Sequence, residues 1–482
     1  MANEKVYVGE DGAKELYRRV KTIIPKVDTA LNLASNNAIS NSAVTEAFNG
    51  IHDTTYTAGD GLSLNDTVFK VTPGDADDGY FTTKSNHVVW VPDQFVEIIT
   101  PDPASPERSL RIQFSDPNFD AEHYAWPEGT LSYSGKLKDA TWVSQGNGVW
   151  DMVYDNSDWS NLFNNYNTTN FNDIPKFDVI GGNCNTVSSF KNAFNGCNLV
   201  TNFGGISHTD AVTDVQGMFY NASNIESIQL PDMDSLSTIT LLSMQATKLK
   251  SIEIGNLPLC SRIDFLAAEA PVLESITLGD LPSITSVWYS TPSSTSQGYR
   301  SFNLYTPRPT SSSYASFETP TLKTIVLGDM NGLTDATGLF CRTNKNQYTN
   351  NTFDTAFRNV EAISIGATPN INVAEEMFYC CYSLNQLTMG TQSFSKITNA
   401  SAMFSACKVL PSIPSIRFGN SLTNVYSTFA YCRMASSGIL DMYNHLSGIS
   451  GISDHRYTFR ECGINSDTGA AELAQLPSGW KE

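Results

Sequence analysis

Charge is scarce in this sequence. Asp, Glu, Lys and Arg make up only 16% of its 482 residues, against roughly 25% in ordinary soluble domains, and the balance is acidic, with a formal net charge of −19. That argues against nucleic acid and anionic membrane as partners, since both demand a basic surface. Long apolar runs are missing too. No stretch approaches the ~18 apolar residues that span a bilayer, and the start, MANEKVYVGEDGAKELYRRV, lacks the apolar core of a secretory signal. The expectation is a chain made and kept in a cytoplasm, without membrane insertion.

Catalytic signatures are equally absent. There is no G-x-x-x-x-G-K-[ST], H-E-x-x-H, G-x-S-x-G or C-x-x-C. The histidines, His52, His87, His123, His208, His445 and His455, are scattered, and the adjacent pairs Glu122-His123 and Asp454-His455 fit no catalytic pattern. GDADDGY offers Asp75, Asp77 and Asp78 but lacks the spacing and closing Glu of a calcium loop, so it reads as a solvated acidic turn. No catalytic residue, metal or cofactor is expected. Paired carboxylates for glycoside cleavage have no fixed spacing, which leaves a capsule-degrading depolymerase as an alternative. The nine cysteines lie between Cys184 and Cys462, an odd number without the compact spacing of a disulfide scaffold, and read as reduced thiols.

What is present is Ser, Thr, Asn and Gly, which favour turn-rich β structure, and a repeat. MFYCCYSLNQLTMG, from Met377, is followed 26 residues on by MFSACKVLPSIPSI, from Met403. The same pairing gives Phe194 with Cys197, Phe378 with Cys381, Phe404 with Cys407, Phe429 with Cys432 and Phe459 with Cys462; Phe219 has Ala222 in the Cys position. An L-x-x-L-x-L run recurs as Ile225-Ile228-Leu230, Leu249-Ile252-Ile254, Leu273-Ile276-Leu278, Tyr299-Phe302-Leu304, Leu322-Ile325-Leu327, Val360-Ile363-Ile365 and Leu384-Leu387-Met389. Its steps are 24, 24, 26, 23, 38 and 24 residues, the long one containing the insertion CRTNKNQYTNNTF.

The last two apolar residues of each run flank one outward residue, which makes a short period-2 strand. One strand per coil predicts a solenoid in which Ile228, Ile252, Ile276 and Ile325 form a single file. Phe then fills the interior of the return path, and the small Cys lets coils approach. A stacked core is favoured for these thiols over redox bridging or metal binding, which need deprotonated sulfur in a polar setting. Outward columns of hydroxyls (Ser227, Ser251, Ser275, Ser301, Thr324) and of charge (Glu226, Lys250, Glu274, Arg300, Lys323, Glu361) read as a structural ladder, with a ligand face as the alternative.

The M-F-x-x-C segments with leucine-spaced strands resemble the BspA-type leucine-rich repeats of bacterial surface proteins over about residues 190–465, although Met244 to Tyr289 depart from the pattern. That resemblance implies adhesion or protein contact and makes a bacterial surface adhesin the alternative identity. Ahead of the repeat, Leu16, Val20 and Ile23 form one helical stripe and Val44, Phe48 and Ile51 another; Leu62 and Leu64 face Phe69 and Val71 in a hairpin about Asn65-Asp66. NAISNSAVTEAFNGI followed by YTAGDGLSL resembles the N-terminal attachment and shaft segments of tailed-bacteriophage fibre and appendage proteins. The implication is a virion component that attaches by its N-terminus as a homotrimer, contacts other virion proteins there, and displays its C-terminal domain to a host surface glycan or protein.

Between these parts the text is β-like, with alternation at Leu110, Ile112 and Phe114 and a turn at Asn147-Gly148. Five of the seven tryptophans, Trp90, Trp126, Trp142, Trp150 and Trp159, gather here and read as core rather than as exposed sugar-stacking faces. DNSDWSNLFNNY reads as a short capped helix. The expected architecture is therefore mainly β with short helices: a helical attachment segment (1–54), a hairpin shaft (55–85), a small aromatic β domain (86–160) and a leucine-rich-repeat solenoid with a C-terminal cap (161–482). Recognition often sits on long loops over a rigid scaffold, so Trp288, Tyr289, Tyr305, Tyr314 and Tyr348, with Asn303 beside them, are the candidate binding residues.

Overall fold

A computed structural model describes residues 39–40, 79–84, 87–92, 108–128, 135–290, 298–300, 304–306, 321–341, 357–390 and 394–482. The chain forms two compact units, Met1–Ala104 and Ser105–Glu482. In the first, Gly79–Lys84 and His87–Pro92 make an antiparallel hairpin, and Ile39–Ser40 pairs with the second of these strands. The two amphipathic stripes, the Leu62–Val71 hairpin and the acidic turn at Asp75 lie outside the described residues.

The second unit is mainly β and contains a β-solenoid of about seven turns over residues 177–389. Its parallel sheet runs through Val200–Phe203, Ser227–Leu230, Ser251–Ile254, Ser275–Leu278, Thr324–Leu327, Ala362–Ile365 and Gln386–Met389. The expected file holds residue by residue: Ile228 pairs with Ile252, Ile252 with Ile276, Ile276 with Ile325, and Ile325 with Ile363. Burial alternates along each strand from Ser227 to Leu327, as period-2 geometry demands. Six strands pair in unbroken register from Ser227 to Met389 because a one-residue slip would turn every inward Ile or Leu to water.

Two expectations are overturned. Tyr299-Phe302-Leu304 does not follow Ser275–Leu278 in the sheet, because Ser275–Leu278 pairs directly with Thr324–Leu327, one step of 49 residues. Gly298–Arg300 instead pairs antiparallel with Trp288–Ser290. Likewise DNSDWSNLFNNY is not a helix. Asn161 and Asn165 adopt left-handed φ of 61° and 60°, which a helix cannot accommodate, and the segment is a return turn already in register with the solenoid. Its Phe163 ring stacks on Phe194 at 5.1 Å.

The return path explains the Phe and Cys columns. In the F-x-x-C coils, the residues two before and two after the Phe turn left-handed: Asn192 and Gly196 around Phe194, Glu376 and Cys380 around Phe378, Ala402 and Ala406 around Phe404, Ser427 and Tyr431 around Phe429. This breaks the helical spiral, so each Phe N–H reaches the next coil instead, as Phe378 does to Met403 O (2.8 Å) and Phe404 to Thr428 O (2.8 Å). The rings then stack one per coil. Phe340, Phe378, Phe404, Phe429 and Phe459 succeed one another at 5.0–5.6 Å, with interplanar angles of 6–15°. A non-glycine left-handed residue costs roughly 1–2 kcal/mol, which burial of a whole Phe offsets.

Both ends of the stack are closed. At the N-terminal end, Ser109–Phe114, Val149–Val153 and Thr141–Gly146 continue the sheet in antiparallel fashion. Their hairpin turns at Asn147 and Gly148, both left-handed. Trp126, Trp142, Trp150 and Trp159 are all buried there, the first two stacked at 4.8 Å. Asp151, the one buried acidic residue among those described, is held by Arg111 through two bonds of 2.7 and 2.9 Å. At the other end, helices Ile439–Ser447 and Asp467–Ala474 precede Trp480, which stacks on His455 at 4.5 Å and lies 6.3 Å from Phe459.

Candidate functional site

Four surfaces of the solenoid unit bear on function. The first is the outer sheet face, where Gln229 and Glu253 are exposed and Thr277, Val326 and Ser364 half-buried between the inward residues. Beside it runs the charged column. With Arg300 removed from the stack, its signs alternate strictly: Glu226, Lys250, Glu274, Lys323, Glu361. Lys250 pairs with Glu226 at 2.7 Å and Lys323 with Glu361 at 2.5 Å. The pairing depresses the Glu226 carboxyl and raises the Lys250 ammonium, the hydrogen bond between them being the main cause of each shift. Lys250→Glu would set three carboxylates on successive coils. A small drop in the urea midpoint is expected, one that molar salt abolishes because these groups lie at the surface, within reach of mobile ions.

The second surface carries those of the expected binding residues that the structure describes. Trp288 and Tyr289 sit in the antiparallel pair with Gly298–Arg300. Tyr305 pairs in parallel with Ala267, in the line that runs from Phe219 through Ser243 on the return path, not on the sheet face. Asn303, Tyr314 and Tyr348 lie outside the described residues.

The third is a polar ladder that sequence reading missed. Five residues before the Phe stand Asp214, Asp335, Asn399, Asn424 and Asp454, whose side chains accept from the backbone N–H two residues on at 2.8–3.2 Å. Asp335, Asn399, Asn424 and Asp454 also bridge coil to coil, with Val373 between the first two. Such Asx turns hold the backbone for the left-handed residue that follows. The signal was legible: D-V-Q-G-M-F, D-A-T-G-L-F, N-A-S-A-M-F, N-V-Y-S-T-F and D-H-R-Y-T-F all place Asp or Asn at one offset.

Inside the same coils lie the thiols. Cys381, Cys407 and Cys432 are buried, and each donates its S–H to the preceding coil's Phe carbonyl, at 3.6, 3.3 and 3.2 Å. Burial drives the thiols of Cys381, Cys407 and Cys462 far above their ordinary range. These groups stay protonated in the folded chain, while unfolded thiols ionise above about pH 8.5. Stability is therefore full below that pH and declines as pH rises beyond it. The expected result is a lower urea midpoint at pH 10 than at pH 7, with no alkylation of these three cysteines by iodoacetamide until the chain unfolds. No cluster of three metal-ligating side chains occurs among the described residues.

The fourth surface is a run of tyrosine and cationic side chains around the return turns of the last coils, which includes Tyr382, Lys408, Tyr431 and Arg460. Taken together, closed ends, a continuous parallel sheet and stacked interior files define the second unit as a capped β-solenoid. Comparison of the chain with protein-family profiles, curated proteins and solved structures gave no match.

Proposed function

We propose that the protein is a non-catalytic structural component of a phage particle, a fibre or other appendage. Its N-terminal segment attaches to the particle and trimerises the chain, and the solenoid is a leucine-rich-repeat domain displayed for binding a host-surface molecule or another protein. The observation that carries this reading is the solenoid itself. Apolar files are locked in register on the inside, so the outer residues of successive coils stand at fixed separations and suit recognition of an extended partner. Polar and charged ladders on the outside fit adhesion to an extended partner. The order of attachment-like and shaft-like segments ahead of a display domain supports placement on a particle.

The test is imaging of purified particles with an antibody to the 161–482 region. Three copies at each appendage, anchored by the N-terminal side, are the expected result. A monomer in solution that is absent from particles overturns the proposal. So does release of reducing sugars from host capsule by the purified chain.

A further inference from the structure

The acidic chain concentrates uncompensated positive charge at one place. On successive coils, the position after the Cys column is occupied by Arg358, Tyr382, Lys408 and Arg433. The Arg358 guanidinium lies 4.9 Å from the Tyr382 ring centroid and the Lys408 ammonium 4.0 Å from it. Further along, Arg433 stands 6.0 Å from Tyr431, and Arg460 is 5.8 Å from Tyr431 and 5.2 Å from Tyr457. Tyr457 meets Tyr426 edge-to-face at 5.7 Å, and Arg456 lies 5.5 Å from Tyr426.

Two of these cations are already matched. Arg456 pairs with Asp454 at 2.7 Å, and Arg433 pairs with Glu461. Arg358, Lys408 and Arg460 are exposed and, among the described residues, have no carboxylate at ion-pair distance. Cation–π contact orients such groups but leaves their charge unneutralised. A chain of net charge −19 therefore holds an array of unpaired cations interleaved with aromatic faces. Over the four coil steps from Arg358 to Arg460 the array runs about 19 Å, at roughly 4.8 Å per coil.

We infer that this face binds an acidic polysaccharide. Uronate carboxylates pair with Arg460, Lys408 and Arg358, and pyranose rings lie against Tyr431, Tyr457 and Tyr426. Charge complementarity asks for an anion. The flat aromatic faces between the charges ask for a polymer that alternates acid groups with apolar ring faces, and the coil repeat is close to the length of one sugar ring. A duplex nucleic acid would also be anionic, but its base faces are already stacked on one another, whereas each uronate carries its carboxylate on the same ring that offers an apolar face to tyrosine. The inference names a ligand class for the display domain proposed above. Binding by the isolated chain is independent of where that chain sits on a particle, so either reading can fail alone.

The experiment is calorimetric titration of the full chain with polygalacturonate, with dextran as the neutral polymer and polyphosphate as a charged polymer without sugar rings. Polygalacturonate is expected to bind and dextran not. Arg460→Gln and Lys408→Gln should each weaken binding by about tenfold. Tyr426→Leu and Tyr431→Leu should weaken it while leaving charge unchanged, whereas Glu253→Gln on the sheet face should have no effect. Circular dichroism confirms that each variant folds, and because Tyr426 is the more exposed ring its variant tests stacking even if Tyr431→Leu unfolds. The inference is overturned by three results: no binding of polygalacturonate by the wild-type chain; equal binding of polyphosphate together with indifference to Tyr426→Leu, which would mean simple ion exchange; or equal loss of binding in Glu253→Gln.

Discussion

Replacing Phe404 by alanine is expected to lower the stability of the solenoid unit by about 3–5 kcal/mol, the range for deleting a buried ring. Phe404 is fully buried, 5.0 Å from Phe378 and 5.5 Å from Phe429, nearly parallel to both. Its loss opens a cavity and removes two aromatic contacts, each worth about 0.5–1.5 kcal/mol beyond burial. The effect should also be visible in cooperativity. A solenoid is held together by nearest-neighbour interfaces, so a gap in the file uncouples the coils after Phe404 from those before it. Hydrogen exchange in urea should show the backbone of residues 424–462 opening at lower denaturant than that of residues 227–278. Phe404→Leu, which keeps most of the volume, should cost much less and preserve one transition. A loss below about 1 kcal/mol for Phe404→Ala would remove the aromatic file from the account of stability.

The second large effect is expected at Gly328. From Ile254 onward every strand of the parallel sheet is followed by glycine: Gly255, Gly279, Gly328, Gly366 and Gly390. The reason is close approach, since none of these glycines has φ in the left-handed region. A Cβ on Gly328 would stand 2.5 Å from Asp280 Oδ1, 2.6 Å from the Gly279 carbonyl carbon and 2.7 Å from the Asp280 nitrogen. None of these atoms can retreat freely. Gly328 N–H donates to Leu278 O at 2.9 Å, and Asp280 Oδ1 accepts from Asp329 N–H at 2.8 Å. The same bond links Asp232 to Asn256, Asn256 to Asp280, and Asp329 to Ala367. Gly328→Ala should therefore cost about 3 kcal/mol, the upper part of the overpacking range. Gly448→Ala at the end of a helix, where the nearest atom is 3.4 Å away and φ is −79°, is the control, expected to be neutral or stabilising by about 0.5 kcal/mol. Equal midpoints for the two variants would exclude this inter-coil latch.

That glycine column also accounts for the turn that sequence reading misassigned. Tyr299-Phe302-Leu304 matches the apolar spacing as well as its neighbours do, yet the residue after Leu304 is Tyr305. In the sheet, from Ile254 onward, that place is held by glycine, and at Gly255, Gly279 and Gly328 by glycine followed by Asp or Asn. Thr324–Leu327 is followed by Gly328 and Asp329 and takes the position instead. The DNSDWSNLFNNY segment misled for a related reason. Its apolar spacing suits a helix, but Asp158, Asn161 and Asn165 supply the Asx turn and the left-handed residues of a return coil. The Tyr–Arg array was hidden because it is assembled across coils: Arg358, Tyr382, Lys408 and Arg433 lie 24, 26 and 25 residues apart along the chain and share only an offset from the Phe and Cys.

Sequence alone determined which side chains face inward, because alternation along a four-residue strand is a local property read directly from Ile228, Leu230, Ile252 and Ile254. It also determined that the Phe and Cys positions are interior. Tertiary structure decided which pattern-matched segment is left out of the stack and where the cations gather without partners. Those outcomes depend on contacts under 3 Å between coils 24 to 49 residues apart, which the spacing of apolar residues does not by itself fix.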